Sequence, residues 1–370
     1  MRIAIFSELY VPSVGGQEVF FKGLSHALAA RGHTIDVYCI SHEQGLSSDE
    51  MVGDVRVHRF PEVPKYKRPH LKTAKRNWWA IVRFALHVRS VAKSGGHDFI
   101  ILNQWPLLHA ATLPKRVRHI ALLHWCEVRH SLFFRLIQRT LPKTARYNAA
   151  ISDAVAQEIG AASGRSVITL PSGLDLAQSR YLPRRDRGGI VVLGRVAEHK
   201  NLPLAIKAFE LLKSEGYPGT LRIAGDGPAL ADVKTLASNS PFAADIEVLG
   251  SISDAEKFLL LAQAEIFAMS STREGFPHVV AESMSSGLPV VTADFPENGT
   301  VAIVKAYGCG VVTDKSPAAF AAGLRQALDN WDQYSSSGLT AAATLDWKLI
   351  AERVERTMID ATSSEVSPPQ

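Results

Sequence analysis

The sequence predicts an α/β protein built from two doubly wound domains. Short apolar runs of strand length alternate with longer segments of helical period, and the alternation restarts after a polar, charged segment at residues 183–189. A chain of 370 residues is also long enough for two ordinary cores. Alternating strands and helices favour parallel sheets, because a crossover helix must return the chain before each new strand. The predicted division is 1–183, 188–345 and a final helix at 346–362.

The first domain begins with a strand, a turn, a helix and a second strand. Residues 2–7 and 35–40 are apolar enough for buried strands, and residues 17–30 have the period of an amphipathic helix. The first turn of such a βαβ unit commonly holds phosphate. Here it offers only Gly15 and Gly16, so the fit to the dinucleotide-binding glycine pattern is poor.

A long stretch without acids follows the second strand. No acid occurs between Glu62 and Asp98, where nine bases and two adjacent tryptophans are found. A basic, aromatic, amphipathic helix is a candidate for the surface of an anionic membrane. The alternative is a solvated basic helix whose apolar residues pack on the sheet. The bases are Lys65, Lys67, Arg68, Lys72, Lys75, Arg76, Arg83, Arg89 and Lys93, and the interleaved apolar residues are Trp78, Trp79, Ile81, Val82, Phe84 and Leu86.

Four more short strands complete the predicted first domain. His124 follows the strand at 119–123, at the sheet edge where open α/β sheets bind ligands, although a single histidine is more often structural. A helix at 132–141 adds Arg135 and Arg139 to the basic surface. The four strands are predicted at residues 99–102, 119–123, 149–152 and 167–170.

The second domain repeats the alternation. Its first strand leads into a glycine-started loop and a helix from about residue 202 to 215, and helices separate the later strands. A last helix is predicted at 346–361. The five strands are predicted at residues 190–193, 221–224, 246–249, 266–269 and 289–292.

Charge distinguishes the two halves. Residues 1–187 contain 27 lysines and arginines against 14 acids, whereas residues 188–370 contain 14 against 22. The first half therefore has the charge to attract anionic partners, and the second does not. The three cysteines are widely separated, which excludes a disulfide framework and predicts a reducing cytoplasm. The first residues lack the apolar region of a secretion signal.

Two groups of charged residues are the candidates for chemistry. Arg195 and Lys200 lie five positions apart in the first loop of the second domain, where two cations could neutralise a pyrophosphate. Glu274 and Glu282 lie eight positions apart, the first in a loop and the second in a predicted helix, so both could face one ligand at the helix N-terminus. Ordinary solvated surface residues remain the alternative for each group.

Taken together, these segments resemble the retaining GT-B glycosyltransferases of family 4. Six motifs occur in the order and spacing of that family over nearly the whole chain, and the glutamate pair is the most specific of them. They are Gly15-Gly16, the Ser152 segment, Gly173-Leu174-Asp175, Gly194-Arg195 with Lys200-Asn201, Gly225-Asp226-Gly227-Pro228, and Glu274-Gly275-Phe276-Pro277 with Glu282.

The resemblance implies a GT-B fold of two Rossmann-like domains that face a central cleft, with the donor mainly on the second domain and the acceptor on the first. It also implies a donor site without a metal or cofactor. In that site Arg195 and Lys200 would hold the diphosphate, with the Gly15-Gly16 backbone approaching the same group, and Glu282 would bind the ribose.

The remaining implied contacts concern the donor sugar. Glu274, with the N–H groups of Gly275 and Phe276 and the following Pro277, would bind this sugar, and His124 would lie near its reacting carbon. The chain departs from the family at Met269, where proline is usual, and at Ser172, where asparagine is common. Neither change removes a charged contact, so we expect the activity to be retained. The sugar or the acceptor is expected to differ from the common cases of the family.

The predicted function is retaining, metal-independent transfer of a hexose from a UDP- or GDP-sugar to a lipid-linked or surface-polysaccharide acceptor. The enzyme would be cytoplasmic, held at the inner membrane face by its basic first domain, and no nucleic acid is expected as a partner. A nucleotide-sugar epimerase of the same fold is one alternative. A non-catalytic protein that uses only the basic half to bind nucleic acid or lipid is another.

Overall fold

Two large parallel sheets, each with a buried apolar layer on both faces, make up the computed structural model of the protein. The structure describes residues 1–13, 15–63, 66, 76–274 and 277–363. The chain divides into a first unit, Met1–Gly173 together with the segment from Trp347 onward, and a second unit, Leu174–Asp346. The prediction of two doubly wound, Rossmann-like domains is confirmed.

The first unit contains an eight-stranded sheet. Its strands are β1 (Arg2–Phe6), β2 (Thr34–Ser41), β3 (Asp49–Val52), β4 (Val55–Glu62), β5 (Phe99–Asn103), β6 (Ala121–Trp125), β7 (Tyr147–Ala150) and β8 (Ile168–Thr169). They lie in the order β3-β4-β2-β1-β5-β6-β7-β8, and all neighbours are parallel except the β3–β4 hairpin. The order reverses direction between β1 and β5, so the chain leaves a crevice there at the carboxyl ends of the strands.

The helices of this unit cover both faces of the sheet because each strand buries side chains on both sides. They are α1 (Gly16–Ala30), α2 (Trp78–Ser94), α3 (Leu108–Ala111), α4 (Leu132–Thr140) and α5 (Asp153–Ser163). In the core, α1 contributes Phe20 and Leu24 to one face, and α2 contributes Phe84 and Val88 to the other.

The second unit has a six-stranded parallel sheet and a two-stranded one. The strands are β9 (Ile190–Leu193), β10 (Leu221–Ala224), β11 (Ile246–Gly250), β12 (Ile266–Met269), β13 (Arg273–Glu274), β14 (Val290–Ala293), β15 (Glu297–Asn298) and β16 (Gly310–Thr313). The large sheet has the order β11-β10-β9-β12-β14-β16, and β13 pairs with β15. The reversal between β9 and β12 repeats that between β1 and β5.

Seven helices surround the second sheet, and an eighth returns to the first unit. They are α6 (Leu202–Ser214), α7 (Leu230–Ser238), α8 (Asp254–Gln263), α9 (His278–Ser285), α10 (Thr300–Tyr307), α11 (Pro317–Asp329), α12 (Trp331–Ala343) and the returning α13 (Trp347–Ser363).

Helix α13 packs on the first unit through Trp347 at its start and through the buried Ile350, Ala351, Val354 and Met358 after it. Its Trp347 ring occupies the space beside Gly23 and Gly173, where an added Cβ would lie 2.1 Å and 2.4 Å from ring atoms. At the other end of α1, Arg31 forms ion pairs with Glu352 and Glu355. The Trp347 ring therefore fits into a slot that exists only because Gly23 and Gly173 have no side chain.

Three features differ from the sequence prediction. The β3–β4 hairpin and β16 were not predicted, and the strand expected at 119–123 begins two residues later because Lys115–Ile120 form a 3-10 turn. The first unit ends at Gly173, and the expected linker at 183–189 lies within the second unit. The second unit begins at Leu174, which donates its N–H to Leu345 O at 2.7 Å.

Candidate functional site

The loop after β9 is held by the loop after β10. A Cβ added at Gly225 would lie 1.8 Å from the carbonyl oxygen of Gly194, and one at Gly227 would lie 2.2 Å from that of Val196. Both glycines also have positive φ angles, 139° and 158°, which side chains rarely allow. The Gly-Asp-Gly-Pro motif thus lets two loops pack backbone against backbone and fixes the start of the segment that carries Arg195.

Lys200 and Glu274 are brought together at the carboxyl edge of the second sheet. The Lys200 ammonium lies 2.5 Å from Glu274 Oε1, and both side chains are largely buried. Ser270 donates its hydroxyl to Lys200 O at 2.7 Å, which ties the loop after β9 to the end of β12. The reversal of strand order lies between these two strands, so the predicted cation and the predicted sugar-binding carboxylate meet where open α/β sheets bind ligands.

Arg195 lies in the same loop but has a different environment. Its side chain is exposed, and among the described residues no carboxylate pairs with it. Lys200 therefore has an acidic partner inside the chain, whereas Arg195 is available to an anion from solution.

Glu282 has a partner that the sequence prediction missed. It lies on α9, and its Oε1 is 2.7 Å from the Lys257 ammonium on α8, which also contacts Asp254 at 3.1 Å. Burial lowers the pKa of Lys257, but the two carboxylates outweigh it and raise the pKa overall. The Glu282 carboxylate is thus paired with a cation of the neighbouring helix. A capping box of Ser253 and Glu256 starts α8, the helix that carries Lys257.

The two predicted glutamates enter the site from different elements. Glu274 ends the short strand β13, and its backbone carbonyl accepts the N–H of Gly299 at 2.9 Å. Pro277 is the N-cap residue of α9, the helix that carries Glu282. Gly275 and Phe276, predicted to donate N–H groups to the sugar, lie outside the described residues. A cavity of about 650 Å³ borders this region and is lined by His199, Thr272 and Arg273 among others.

The predicted glycine turn of the first unit has an acidic neighbour. Gly15 precedes α1 in extended conformation, Gly16 begins the helix, and space for a Cβ is open at Gly16. The Glu18 carboxylate lies close to Gly15 and accepts the hydroxyl of Ser13 at 3.0 Å. The helix N-terminus, which favours anions, thus already has a negative charge beside it.

His124 is placed differently from the prediction. It lies inside β6 rather than past its end, is 2 % exposed, and stacks on Phe20 at 4.0 Å between ring centroids. Burial lowers its pKa to about 4, although the Leu170 carbonyl, 3.1 Å from Nε2, opposes that shift. The ring is therefore neutral, its Nε2 carries the proton, and Nδ1 is the acceptor.

A polar cavity of about 270 Å³ in the first unit was not predicted. Trp105 lies in its wall with the Arg76 and Arg129 guanidinium groups 5.3 and 4.6 Å from the ring centre. Arg129 pairs with Glu127 at 2.7 Å, and Arg76 pairs with Glu8 at the same distance. Carboxylates and guanidinium groups around an aromatic ring suit a polyhydroxyl ligand. Gly16 of the predicted glycine turn also lines this cavity, whereas the other lining residues come from segments far apart in sequence that no motif signalled.

Helix α2 combines the two interpretations of its sequence. Ile81 and Phe84 are buried against the sheet, whereas Trp78, Trp79 and Leu86 are 65, 70 and 60 % exposed. Some apolar residues of α2 thus pack on the sheet, and others face solvent. The bases at Lys65, Lys67, Arg68, Lys72 and Lys75 lie outside the described residues. No helix in the described parts of the chain is long and apolar enough to cross a membrane.

Nowhere in the described ranges do three histidine, cysteine, aspartate or glutamate side chains gather as a metal would require.

Two family models together match most of the chain. Residues 14–178 match the model described as Glycosyltransferase Family 4, and residues 178–344 match Glycosyl transferases group 1. A curated relative is the alpha-monoglucosyldiacylglycerol synthase of Streptococcus pneumoniae, 22 % identical over 83 % of this chain and 74 % of that protein. Another is the GDP-mannose:cellobiosyl-diphosphopolyprenol alpha-mannosyltransferase of Komagataeibacter xylinus, 23 % identical over 96 % of this chain and 92 % of that protein.

Solved structures give the same fold. The Anabaena protein HepE, in complex with UDP and glucose, superposes with a TM-score of 0.69 at 17 % identity, over 97 % of this chain and 100 % of that one. At this identity the likeness concerns the fold.

Proposed function

The chain belongs to glycosyltransferase family 4, and from this membership we propose that it transfers a hexose from a UDP- or GDP-sugar to a lipid-linked or surface-polysaccharide acceptor with retention. The observation that carries the proposal is the convergence of Lys200 and Glu274, with Arg195 in the same loop, at the strand-order reversal of the second sheet. A diphosphate needs cations and a sugar needs hydrogen-bond acceptors, and this edge offers both.

In this proposal the second unit binds the donor. Arg195 binds the diphosphate by its planar fork, and Lys200 turns from Glu274 to the phosphate as a point charge. Glu274 is then free to accept hydrogen bonds from the sugar hydroxyls. Glu282, which pairs with Lys257, accepts hydrogen bonds from the hydroxyls of the ribose. Gly275, Phe276 and Pro277 complete the sugar contacts.

Charge development supports the mechanism. When the bond between sugar and diphosphate breaks, negative charge grows on the leaving phosphate and positive charge on the sugar carbon. Preplaced cations stabilise the negative charge on the leaving phosphate, and Arg195 and Lys200 supply these cations without a metal ion. The leaving phosphate takes the proton of the acceptor hydroxyl, and the new bond forms on the face that the phosphate leaves, which retains the configuration.

The first unit binds the acceptor. For His124, whose ring is neutral, and for the turn at Gly15 and Gly16, the proposal keeps the substrate-binding roles that the family resemblance implies. Its polar cavity around Trp105 suits the hydroxyl groups of a glycan acceptor.

A location at the cytoplasmic face of a membrane is part of the proposal. Two relatives are named for a diacylglycerol and a diphosphopolyprenol, both lipids. The first half of the chain is strongly basic, and α2 exposes two tryptophans. Basic and aromatic surface residues favour an anionic bilayer.

The proposal is tested by thermal stabilisation with UDP, GDP, ADP and their sugars in the presence of a chelator. A nucleotide that binds only the native state raises the melting temperature. We expect one nucleotide, UDP or GDP, and its sugar to do so. Glu282→Ala should weaken their binding about tenfold or more, because a hydrogen-bond acceptor is lost.

Glu247→Ala removes an exposed carboxylate on β11 of the same unit and is the matched control. If no nucleotide stabilises the wild type, or if both variants respond alike, the donor site is wrong and a binding protein that uses the basic unit becomes the better interpretation.

A further inference from the structure

A second cavity of the first unit, about 730 Å³, is lined by five cationic side chains and no acid. Arg89 and Lys93 come from the last turns of α2, and Lys115, Arg116 and Arg118 come from the segment that leads into β6. The cavity lies outside both the candidate donor site and the cavity around Trp105. We call it the basic pocket.

The cations of the basic pocket have no acidic partners within the described residues. Arg89 donates to Thr112 O at 2.9 Å and Arg118 donates to Leu113 O at 3.2 Å, both neutral backbone carbonyls. Elsewhere in the same unit the arginines commonly pair with acids, as Arg2 does with Asp36 and Arg76 does with Glu8. The basic pocket thus keeps two guanidinium groups in place while leaving their positive charge uncompensated.

The pocket continues an apolar stripe along α2. Trp78, Val82 and Leu86 are exposed and follow one another at helical spacing, and Arg89 and Lys93 continue the same line. At 1.5 Å per residue the line from residue 78 to 93 is about 22 Å long. One face of the helix therefore presents apolar side chains first and cations next.

We propose that the basic pocket binds the phosphate of a bilayer lipid whose headgroup carries more than one negative charge, while the exposed apolar residues of α2 enter the outer part of the bilayer. The inference rests on the proposed membrane location and specifies the partner. Five uncompensated cations around one cavity match a phosphomonoester, which carries about 1.5 to 2 charges, better than a phosphodiester with one. Diffuse attraction alone would respond only to surface charge.

The test is partitioning of the full chain onto vesicles of phosphatidylcholine mixed with either phosphatidate or phosphatidylglycerol, at matched surface potential. Wild type is expected to bind the phosphatidate vesicles about tenfold more tightly. The triple variant Arg89→Gln, Lys93→Gln, Arg116→Gln is expected to lose this preference. Each charge removed near an anionic surface also lowers partitioning about fivefold on both vesicle types.

A matched control removes three exposed cations elsewhere, by Arg165→Gln, Lys207→Gln and Lys234→Gln, and should keep the preference. Leu86→Ser should weaken binding to both vesicle types by one common factor, since it changes apolar insertion and not the pocket. Equal binding of wild type to the two vesicle types, or equal loss in the control, overturns the proposal.

Soluble anions provide the last arm. Inorganic pyrophosphate should bind the free protein weakly and should not distinguish wild type from the pocket variant. Tight binding that the variant abolishes would assign the pocket to a soluble anion instead. Nucleotide stabilisation is measured on the same variants. If it persists while headgroup preference is absent, only the basic pocket fails. If it is missing in the wild type, the donor site fails independently.

Discussion

The two units share one strand order at their centres but differ in what they put at the carboxyl edge. In both sheets the order reverses beside the first strand, between β1 and β5 and between β9 and β12. At the first reversal lies the Glu18 carboxylate near the glycine turn, and the neutral His124 ring lies in β6, the strand next to β5. At the second lie Arg195 and the Lys200–Glu274 pair.

The difference shows that net charge does not locate phosphate chemistry. The first half of the chain is basic and the second acidic, yet the cations suited to a diphosphate occur at the edge of the acidic half. The fold provides a crevice in each unit, and a few loop residues decide what it can bind. The excess positive charge of the first unit is instead distributed over surfaces such as α2 and the basic pocket.

The largest expected effect removes the cation that distinguishes the second reversal. Lys200→Ala should lower kcat by about 10²–10³-fold, because a preplaced charge that stabilises the leaving phosphate is lost. Steady-state transfer with the stabilising nucleotide sugar measures it. Lys207→Ala, an exposed lysine on α6, is the control and should have little effect. A Lys200 variant with the wild-type rate would remove the proposed distinction between the two edges.

Next in size is a change that affects the first unit alone. Trp347→Ala should lower its free energy of unfolding by about 3 kcal/mol, because the ring leaves an unfilled slot beside Gly23 and Gly173. Denaturant unfolding followed by hydrogen exchange in each unit measures the change. Leu349→Ala, a neighbouring exposed position, is the control.

A second substitution makes that test specific. Gly23→Ala should destabilise the wild type, since its Cβ would lie 2.1 Å from the ring, but should cost little when combined with Trp347→Ala. Additive effects of the two substitutions would show that the ring does not fill the slot.

The smallest expected effect of a single side chain is a pH dependence that is larger in the first unit than in the second. Burial lowers the pKa of His109 to about 3 and that of His124 to about 4, while both titrate near 6.5 when unfolded. Below pH 6.5 the unfolded chain therefore binds more protons, and stability falls as pH falls. Between pH 6.5 and 5 each histidine should account for about 1.5 kcal/mol.

The pH effect is measured by unfolding the protein across this range. His109→Gln should reduce the slope, and His130→Gln, an exposed histidine, should leave it unchanged. A slope that is the same in both units would contradict the assignment to the buried rings.

Much of the fold was predictable because buried parallel strands are short apolar runs, and β1, β9, β10 and β12 lie within one residue of their predicted bounds. Strand β4 was missed although buried and exposed residues alternate along it, since its polar residues interrupt the apolar run. One site for Arg195, Lys200 and Glu274 was implied by the family resemblance, and the structure pairs Lys200 with Glu274. The Lys257–Glu282 pair was not predicted, because it joins two helices through tertiary packing.

Trp347 lies late in the chain but belongs to the first unit, and this affects the order in which the two units are completed during synthesis. The second unit is contiguous in the chain, whereas the first lacks its last helix until residue 347 and beyond have been translated. At about 5–20 residues per second, roughly 10–40 s separate the emergence of Gly173 from that of α13. We therefore expect the domain made first by the ribosome to be the one completed last, with the apolar surface of α1 exposed during the interval.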